Sequence, residues 1–537
     1  MTTTPHLDGF VPFDPALAAG YKSEGFWEGV TLGSLLRTAA QKWPSKIAVK
    51  DAVPLTYEQL DVAADGMAAG LVELGISPGD RVVLQLPNTP EFVVVLFGLL
   101  RAGAIPVLCL PAHRAAEIGH LAELSGAVAY VIPETAAGFD YRELARTVQT
   151  RVATLEHVLV LGDPAEFTSL LDVPRDPRPL PEPDPSDLAV LLISGGTTGL
   201  PKLIPRTHDD YAYNARASAE VCALTPDDTY LVALPAAHNF PLACPGILGT
   251  IVTGGALAFT ADPSPENAFA TIERHGVTVT GLVPPLAQLW TAATEWEDAD
   301  LATLRLLQVG GARLPEQPAR EITPALGAQL QQVFGMAEGL LNYTRLDDDL
   351  ELVAKTQGRP LSPADEVRVV DLAGNDVAPG AEGELLTRGP YTIRGYYRAP
   401  EHNARAFTPD GFYRTGDLVR QLQSGHLAVT GRIKDVINRG GENVSCDELE
   451  EHLIAHPAVR AAAAVGIADA MLGEKVCAAL VVDSEMPTLA EIKTFLTGRG
   501  LAAFKLPDSV VQAHDLPVTP VGKIDKRALA AQLAGTT

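Results

Sequence analysis

The chain has 537 residues, a formal net charge of −25, 47% apolar and 20% charged side chains. That length exceeds one hydrophobic core, so at least two compact units are expected. The acidic balance excludes nucleic acid and anionic membrane as general partners, since both carry the same sign, and any anionic ligand must find a local cluster of Lys and Arg.

The N-terminal stretch MTTTPHLDGFVPF has no basic region followed by an apolar core, so no signal peptide is expected. Residues 45–160 alternate helical patterns (LTYEQLDVAADGMAAGLVELG, EFVVVLFGLLRAG) with short β-rich runs (RVVLQLP, IPVLCLP), which predicts a parallel α/β sheet. FVVVLFGLL is too short to span a bilayer and reads as a buried helix. A Pro- and Asp-rich connector, DVPRDPRPLPEPDPSD at 172–187, is expected to be a stiff surface loop. A second α/β series follows at 188–345, then a β-rich unit at 350–430, and a change of character near Lys434 to a helix (DELEEHLIAH), a strand (VCAALVV) and a further helix (EIKTFLTGRG). Five scattered cysteines (Cys109, Cys222, Cys244, Cys446, Cys477) form no CxxC pair, which gives neither a disulfide framework nor a zinc site and suits a reducing cytoplasm.

The stretch ISGGTTGLPK (193–202) follows the apolar run LAVLL. A Walker A loop needs lysine directly after its last glycine; here Leu200 and Pro201 separate Gly199 from Lys202. The glycines still let backbone approach an anion closely, and Ser194, Thr197 and Thr198 offer hydroxyls beside Lys202. A polyphosphate loop of another kind is expected.

Together with LTYEQLD (55–61), VFGMAEG (333–339), YRTGDL (413–418), GRIKDVINRGGENVS (431–445) and PVGKIDK (520–526), this loop makes the chain resemble the adenylate-forming superfamily of acyl-CoA synthetases, luciferases and non-ribosomal adenylation domains. The resemblance implies an α/β multidomain fold. A large N-terminal region (1–433) would hold two α/β subdomains and a β-barrel, and a small mobile α+β domain (434–537) would carry the catalytic lysine, with the active site between them. It implies a two-step reaction: a carboxylate attacks the α-phosphate of ATP to give an acyl-adenylate and pyrophosphate, then a thiol displaces AMP. A carboxylate is already ionised, so the first step needs positioning and charge neutralisation rather than a base.

By the same resemblance Lys523 is the catalytic lysine, Glu338 the magnesium ligand, and Asp417 the acceptor for the ribose hydroxyls, with Val429 and Arg432 nearby. Gly310, Gly311 and Ala312 with Val333, Phe334 and Gly335 would form the adenine slot. Lys434 would be the hinge and Gly441 would line the pantetheine tunnel. The segment AAHNFPLACPG (236–246) matches the acyl-pocket motif. Where amino-acid-activating domains place an aspartate for the substrate ammonium, this chain has Asn239, a neutral amide. The pattern is similar to that of stand-alone aryl-acid AMP ligases of siderophore pathways, which load an aryl carrier protein in trans. His238 would orient or gate the acid and Phe240 would border its ring. In the 2,3-dihydroxybenzoate type a serine stands at the position of Cys244 and usually valine at that of Leu341. A thiol donates weakly, so Cys244 with Leu341 describes a pocket lacking a 3-hydroxyl partner. The expected activity is salicylate adenylation with ATP and magnesium, with a 2,3-dihydroxybenzoate-AMP ligase or an aryl-CoA ligase as the alternatives. A cytoplasmic enzyme with no nucleic-acid or membrane partner is expected.

Two other patterns are set aside. HLIAH (452–456) lacks the glutamate of a zinc-protease helix. Cys244 as a nucleophile would need a base, and the nearby sequence offers only His238.

Overall fold

The computed structural model describes residues 7–534 apart from 174, 179, 195–200, 372, 440–441, 470–471, 484, 500, 502 and 520–521. The chain forms two compact units. The first comprises Met1–Ala354, Gly358–Glu366 and Arg388–Tyr413, the second Lys355–Gln357, Val367–Thr387 and Arg414–Thr537.

The first unit is built on two large sheets of mainly parallel strands. In the nine-stranded sheet, Ile47–Lys50, Ala256–Phe259, Thr229–Val232, Val279–Leu282, Leu306–Gly310 and Gln329–Gly335 run parallel in that spatial order. Antiparallel strands Leu341–Tyr343 and Arg359–Pro360 extend one edge and Leu55–Thr56 the other. The seven-stranded sheet runs Leu203–Thr207, Leu188–Ile193, Ile105–Leu108, Arg81–Leu84, Ala129–Pro133, His157–Leu161 and Thr168–Ser169, with only the first strand antiparallel. The sheets therefore do not divide the chain at the Pro-rich connector as the two successive α/β series suggest. The pair spanning 188–207 joins the earlier sheet, and 47–56 joins the later one. Apolar faces choose a strand's neighbours, and order along the chain constrains them only loosely.

The parallel strands are buried on both faces, which explains runs such as LAVLL and RVVL in place of alternation. The run FVVVLFGLL lies in the helix Pro90–Ala102, whose residues from Phe92 to Ala102 are all buried. Gly98 admits its neighbour: a Cβ there would stand 2.4 Å from Met67 Cγ in the helix Tyr57–Glu73. Among the described residues no helix is long and apolar enough to cross a membrane.

In the second unit, the β-rich segment expected as a barrel holds a four-stranded sheet ordered Glu366–Val370, Glu382–Arg388, Tyr413–Gln421, Leu427–Arg432. A five-stranded sheet follows, with Val459–Asp469 and Gly473–Val482 as its long antiparallel pair and helices Cys446–Ile454, Leu489–Gly498 and Lys526–Ala534 nearby in the chain. The helix over HLIAH ends at Ile454, so His456 lies outside it. His452 Nδ1 accepts from Arg499 Nε at 3.1 Å and His456 Nδ1 from the Ala458 N–H at 3.2 Å, both local structural roles.

Candidate active site

The Gly-rich stretch joins the antiparallel strands Leu188–Ile193 and Leu203–Thr207. Its two ends are clamped together: the Ser194 N–H donates to the Lys202 carbonyl at 2.9 Å, and the Lys202 N–H donates to Ser194 Oγ at 3.0 Å. Ser194 and Lys202 thus form the neck of the loop, while Thr197 and Thr198 lie outside the described residues. The Lys202 ammonium stands 5.7 Å from the centre of the Tyr396 ring.

Tyr396 leads to the next expected residue. Its hydroxyl donates to Glu338 Oε1 at 2.6 Å and lies 2.8 Å from the Tyr413 hydroxyl. Glu338 is only 8% exposed, and among the described residues no salt bridge involves it. The Ile393 N–H donates to its carbonyl at 2.8 Å, so both backbone and side chain are held by the segment 393–396. A buried carboxyl group oriented by a hydroxyl rather than by a cation presents hard oxygen donors of the kind a divalent cation prefers.

Glycines at the strand ends Leu306–Gly310 and Gln329–Gly335 make room for flat neighbours. A Cβ on Gly310 would stand 2.6 Å from the Val333 carbonyl oxygen and 3.3 Å from the Phe240 ring, and one on Gly281 would stand 3.2 Å from that ring. Gly311 follows with φ +85°, a left-handed conformation that favours glycine, and leads into Ala312. A Cβ on Gly335 would meet Leu341 Cδ2 at 2.4 Å, so this glycine is where Phe334 and its strand pass the Leu341 side chain. The structure therefore brings Gly310, Val333 and Phe240 together, and Gly335 with Leu341.

The HNFPLAC segment folds as a short helix, Asn239–Ala243, with His238 as its cap: Nδ1 accepts the Phe240 N–H at 3.2 Å. Nδ1 in the accepting role places the proton of the neutral ring on Nε2. Asn239 is 7% exposed; its Oδ1 accepts from the Tyr211 hydroxyl at 2.8 Å and its Nδ2 donates to Cys244 Sγ at 3.4 Å. The Cys244 thiol in turn donates to the Asn239 carbonyl at 3.5 Å. Burial pushes this thiol up to about 12, so it stays protonated at neutral pH, and its rejection as a nucleophile stands on that physical ground.

In the second unit Asp417 and Arg432 face each other across the strands Tyr413–Gln421 and Leu427–Arg432, Arg432 Nε donating to Asp417 Oδ1 at 2.6 Å. Val429 lies on the same strand, and its N–H donates to Gln357 Oε1 at 2.8 Å. Lys434 lies in a short 3-10 turn, Ile433–Asp435. Lys523 closes a turn in which its N–H donates to Thr519 Oγ1 at 3.2 Å and its carbonyl accepts from the Thr519 N–H at 2.6 Å. Gly441 lies outside the described residues.

Tyr396 and Tyr211, which orient Glu338 and Asn239, carry no signal in sequence: each lies far along the chain from the group it holds.

The AMP-binding enzyme family matches residues 36–397, and its C-terminal domain matches residues 448–523. The chain belongs to the AMP-binding enzymes. This AMP-binding enzyme is 56% identical to the salicyl-AMP ligase / salicyl-S-ArCP synthetase of Mycobacterium tuberculosis, over 99% of this chain and 96% of that protein. It is 52% identical to the 2,3-dihydroxybenzoate-AMP ligase of Bacillus subtilis, over 97% of each. The apo structure of MbtA from Mycobacterium smegmatis superposes on it with a TM-score of 0.77 at 58% identity, covering 98% of this chain and 99% of that one.

Proposed function

We propose that this AMP-binding enzyme activates salicylate to salicyl-adenylate and passes the acyl group to the phosphopantetheine thiol of an aryl carrier protein acting in trans. The observation that carries the substrate reading is the buried trio Tyr211, Asn239 and Cys244. Tyr211 fixes the amide of Asn239, which offers no charge for a substrate ammonium, and Cys244 is held as a neutral thiol that pairs with Asn239 itself. Such a wall suits a neutral aromatic ring and leaves a 3-hydroxyl without a strong partner. The 56% identity to a salicyl-AMP ligase supports the same choice.

In this reading Ser194, Thr197, Thr198 and Lys202 hold the ATP phosphates. Gly310, Gly311, Ala312, Val333, Phe334 and Gly335 hold the adenine, and Asp417, Val429 and Arg432 take the ribose side. Phe240 and Leu341 border the acid ring and His238 orients its carboxylate. Magnesium would be held by Glu338, whose buried, hydroxyl-oriented carboxylate fits it, and when bound it neutralises charge on phosphate oxygens. Lys523 stabilises the charge that builds between carboxylate and phosphate as the bond forms, an effect that acts on the transition state. Lys434 serves as the hinge and Gly441 as part of the pantetheine path.

The test is ATP–pyrophosphate exchange with salicylate, benzoate, anthranilate and 2,3-dihydroxybenzoate, followed by thioester formation with a phosphopantetheinylated aryl carrier or free coenzyme A. Salicylate should give the highest kcat/KM and the carrier should be the better acceptor. A preference for 2,3-dihydroxybenzoate overturns the substrate, and a preference for coenzyme A overturns the acceptor.

A further inference from the structure

The backbone that carries Leu341 is held by side chains from two distant segments. The Leu341 N–H donates to the Tyr391 hydroxyl oxygen at 3.1 Å, and that hydroxyl donates to Asp365 Oδ2 at 2.6 Å. The same carboxylate oxygen accepts the Ser362 N–H at 3.0 Å. Asp365 Oδ1 is shut off from solvent, and Gly389 leaves it room, since a Cβ there would approach it to 2.4 Å. On the other side of Leu341, its carbonyl accepts the Leu361 N–H at 2.8 Å.

The residue before Leu341 explains why such a frame is needed. Leu340 has φ +66°, the left-handed region that a residue with a Cβ rarely adopts, and it is fully buried. Tyr391 brackets it. The Tyr391 carbonyl oxygen would lie 2.3 Å from a Cβ on Gly339, so it closes over the residue preceding Leu340, while the Tyr391 hydroxyl takes the N–H of the residue following it. A non-glycine residue keeps a left-handed backbone only where its surroundings over-determine it. Here Tyr391, fully buried and tied down by Asp365, supplies that restraint. The turn fixes the angle at which the strand Leu341–Tyr343 begins, and with it the direction of the Leu341 side chain.

The geometry points to Tyr391 and Asp365 as positioning residues for acid selection, acting through the Leu340 turn to set where Leu341 stands against the aryl ring. This rests on the reading of Leu341 as a pocket residue. Glu338, on the same turn, is held separately by the Ile393 N–H and the Tyr396 hydroxyl, so loss of the Tyr391 hydroxyl should spare the ATP side.

The experiment compares the parent with Tyr391→Phe, Leu341→Val and the double variant, reading kcat/KM for salicylate and for 2,3-dihydroxybenzoate in pyrophosphate exchange, together with KM for ATP. Leu341→Val should lower the salicylate preference. Tyr391→Phe should lower it roughly fivefold, the equivalent of one buried hydrogen bond, with KM for ATP within about twofold of the parent. In the Leu341→Val background the same change should alter the preference by less than about twofold, because it acts through the side chain already shortened. A parental preference in Tyr391→Phe beside a shifted one in Leu341→Val, or simple additivity of the two, overturns the positioning role alone. A parental preference in Leu341→Val overturns the pocket reading and the proposal with it. Should Tyr391→Phe fail to fold, Asp365→Asn and Asp365→Ala make the same comparison. The asparagine keeps an acceptor for Tyr391 and should retain the acid preference, whereas the alanine should lose it. Equal preferences in the two overturn the proposal.

Discussion

Arg432 and Asp417 stand directly opposite each other in the antiparallel register of their strands, joined by a 2.6 Å hydrogen bond, yet they differ sharply in burial. The Asp417 side chain is 3% exposed and that of Arg432 44%. A carboxylate at that depth needs charged or hydroxyl donors, and Arg432 supplies one from the solvent side. If the ribose hydroxyls supply others, Asp417→Ala should raise KM for ATP roughly 10- to 100-fold, the range for hydrogen bonds to a charged group. KM for the acid should move far less. Exchange assays with ATP varied at saturating acid decide it, and an unchanged ATP KM would remove Asp417 from the nucleotide site.

Lys523 and Lys434 are expected to separate the two half-reactions. Lys523→Ala should cut pyrophosphate exchange by about 10²- to 10³-fold, the usual loss of one transition-state donor, while calorimetric binding of ATP stays near the parent value. Lys434→Pro fixes φ within the turn Ile433–Asp435 and should slow thioester formation while sparing exchange. Equal losses in both half-reactions for Lys434→Pro would rule out the hinge.

The strand ends at Ser194 and Lys202, the buried carboxyl of GMAEG and the short HNFPLAC helix belong to local patterns in which neighbours in sequence are neighbours in space. The groups that orient them do not. Tyr396 lies 58 residues from Glu338, and Tyr391 lies 50 from Leu341. Nothing near either tyrosine marks it, since a buried hydroxyl is chosen by whatever the fold places against it. The sheets show the same limit. Strands such as LAVLL could be read from their apolar runs, but their assignment to one sheet or the other depends on non-local pairing between residues as far apart as Val49 and Leu257.

Two buried histidines should each contribute acid sensitivity. His208 Nδ1 accepts the Leu32 N–H at 3.1 Å, capping the first turn of the helix Leu32–Lys42, and His113 Nδ1 accepts the Leu110 N–H at 3.2 Å. Burial lowers His208 to about 3 and His113 to about 4. With folded values below the ordinary one near 6.5, the unfolded chain binds protons first. The stabilisation is therefore complete above about pH 6.5 and is lost as pH falls towards 4 and 3. By pH 5 each histidine should have forfeited about 2 kcal/mol. Burial raises Asp365 and Glu450 to about 7, and these carboxyls act with the opposite sign over the same interval, so the histidine contribution is read by comparing denaturant midpoints of the parent with those of a variant at pH 7.5 and 5. His208→Asn, which keeps an acceptor for Leu32, should lose about 2 kcal/mol less than the parent between pH 7.5 and 5, and an unchanged pH dependence in that variant would place the effect elsewhere.

Cys244 gives the sharpest test of the substrate. Its contacts with Asn239, at 3.4 and 3.5 Å, suit the large sulfur atom but are too long for hydroxyl hydrogen bonds. A serine there would reach Asn239 poorly, though the Asn214 amide and the Tyr343 hydroxyl also stand against this side chain, and burial would keep water out. Salicylate, with no 3-hydroxyl, leaves that group to these protein partners alone, whereas 2,3-dihydroxybenzoate brings it a further one. An imperfectly compensated buried hydroxyl costs about 1–3 kcal/mol, so Cys244→Ser should move the kcat/KM ratio toward dihydroxybenzoate by roughly 10-fold. Leu341→Val, by removing a methylene whose Cδ2 end lies against Gly335, should add room in the same direction. The two changes alter different properties, polarity and volume, and together should favour dihydroxybenzoate more than either alone. A serine variant with the parental ratio would mean that the 3-position of the ring does not face Cys244, and the choice of salicylate would then rest on sequence similarity alone.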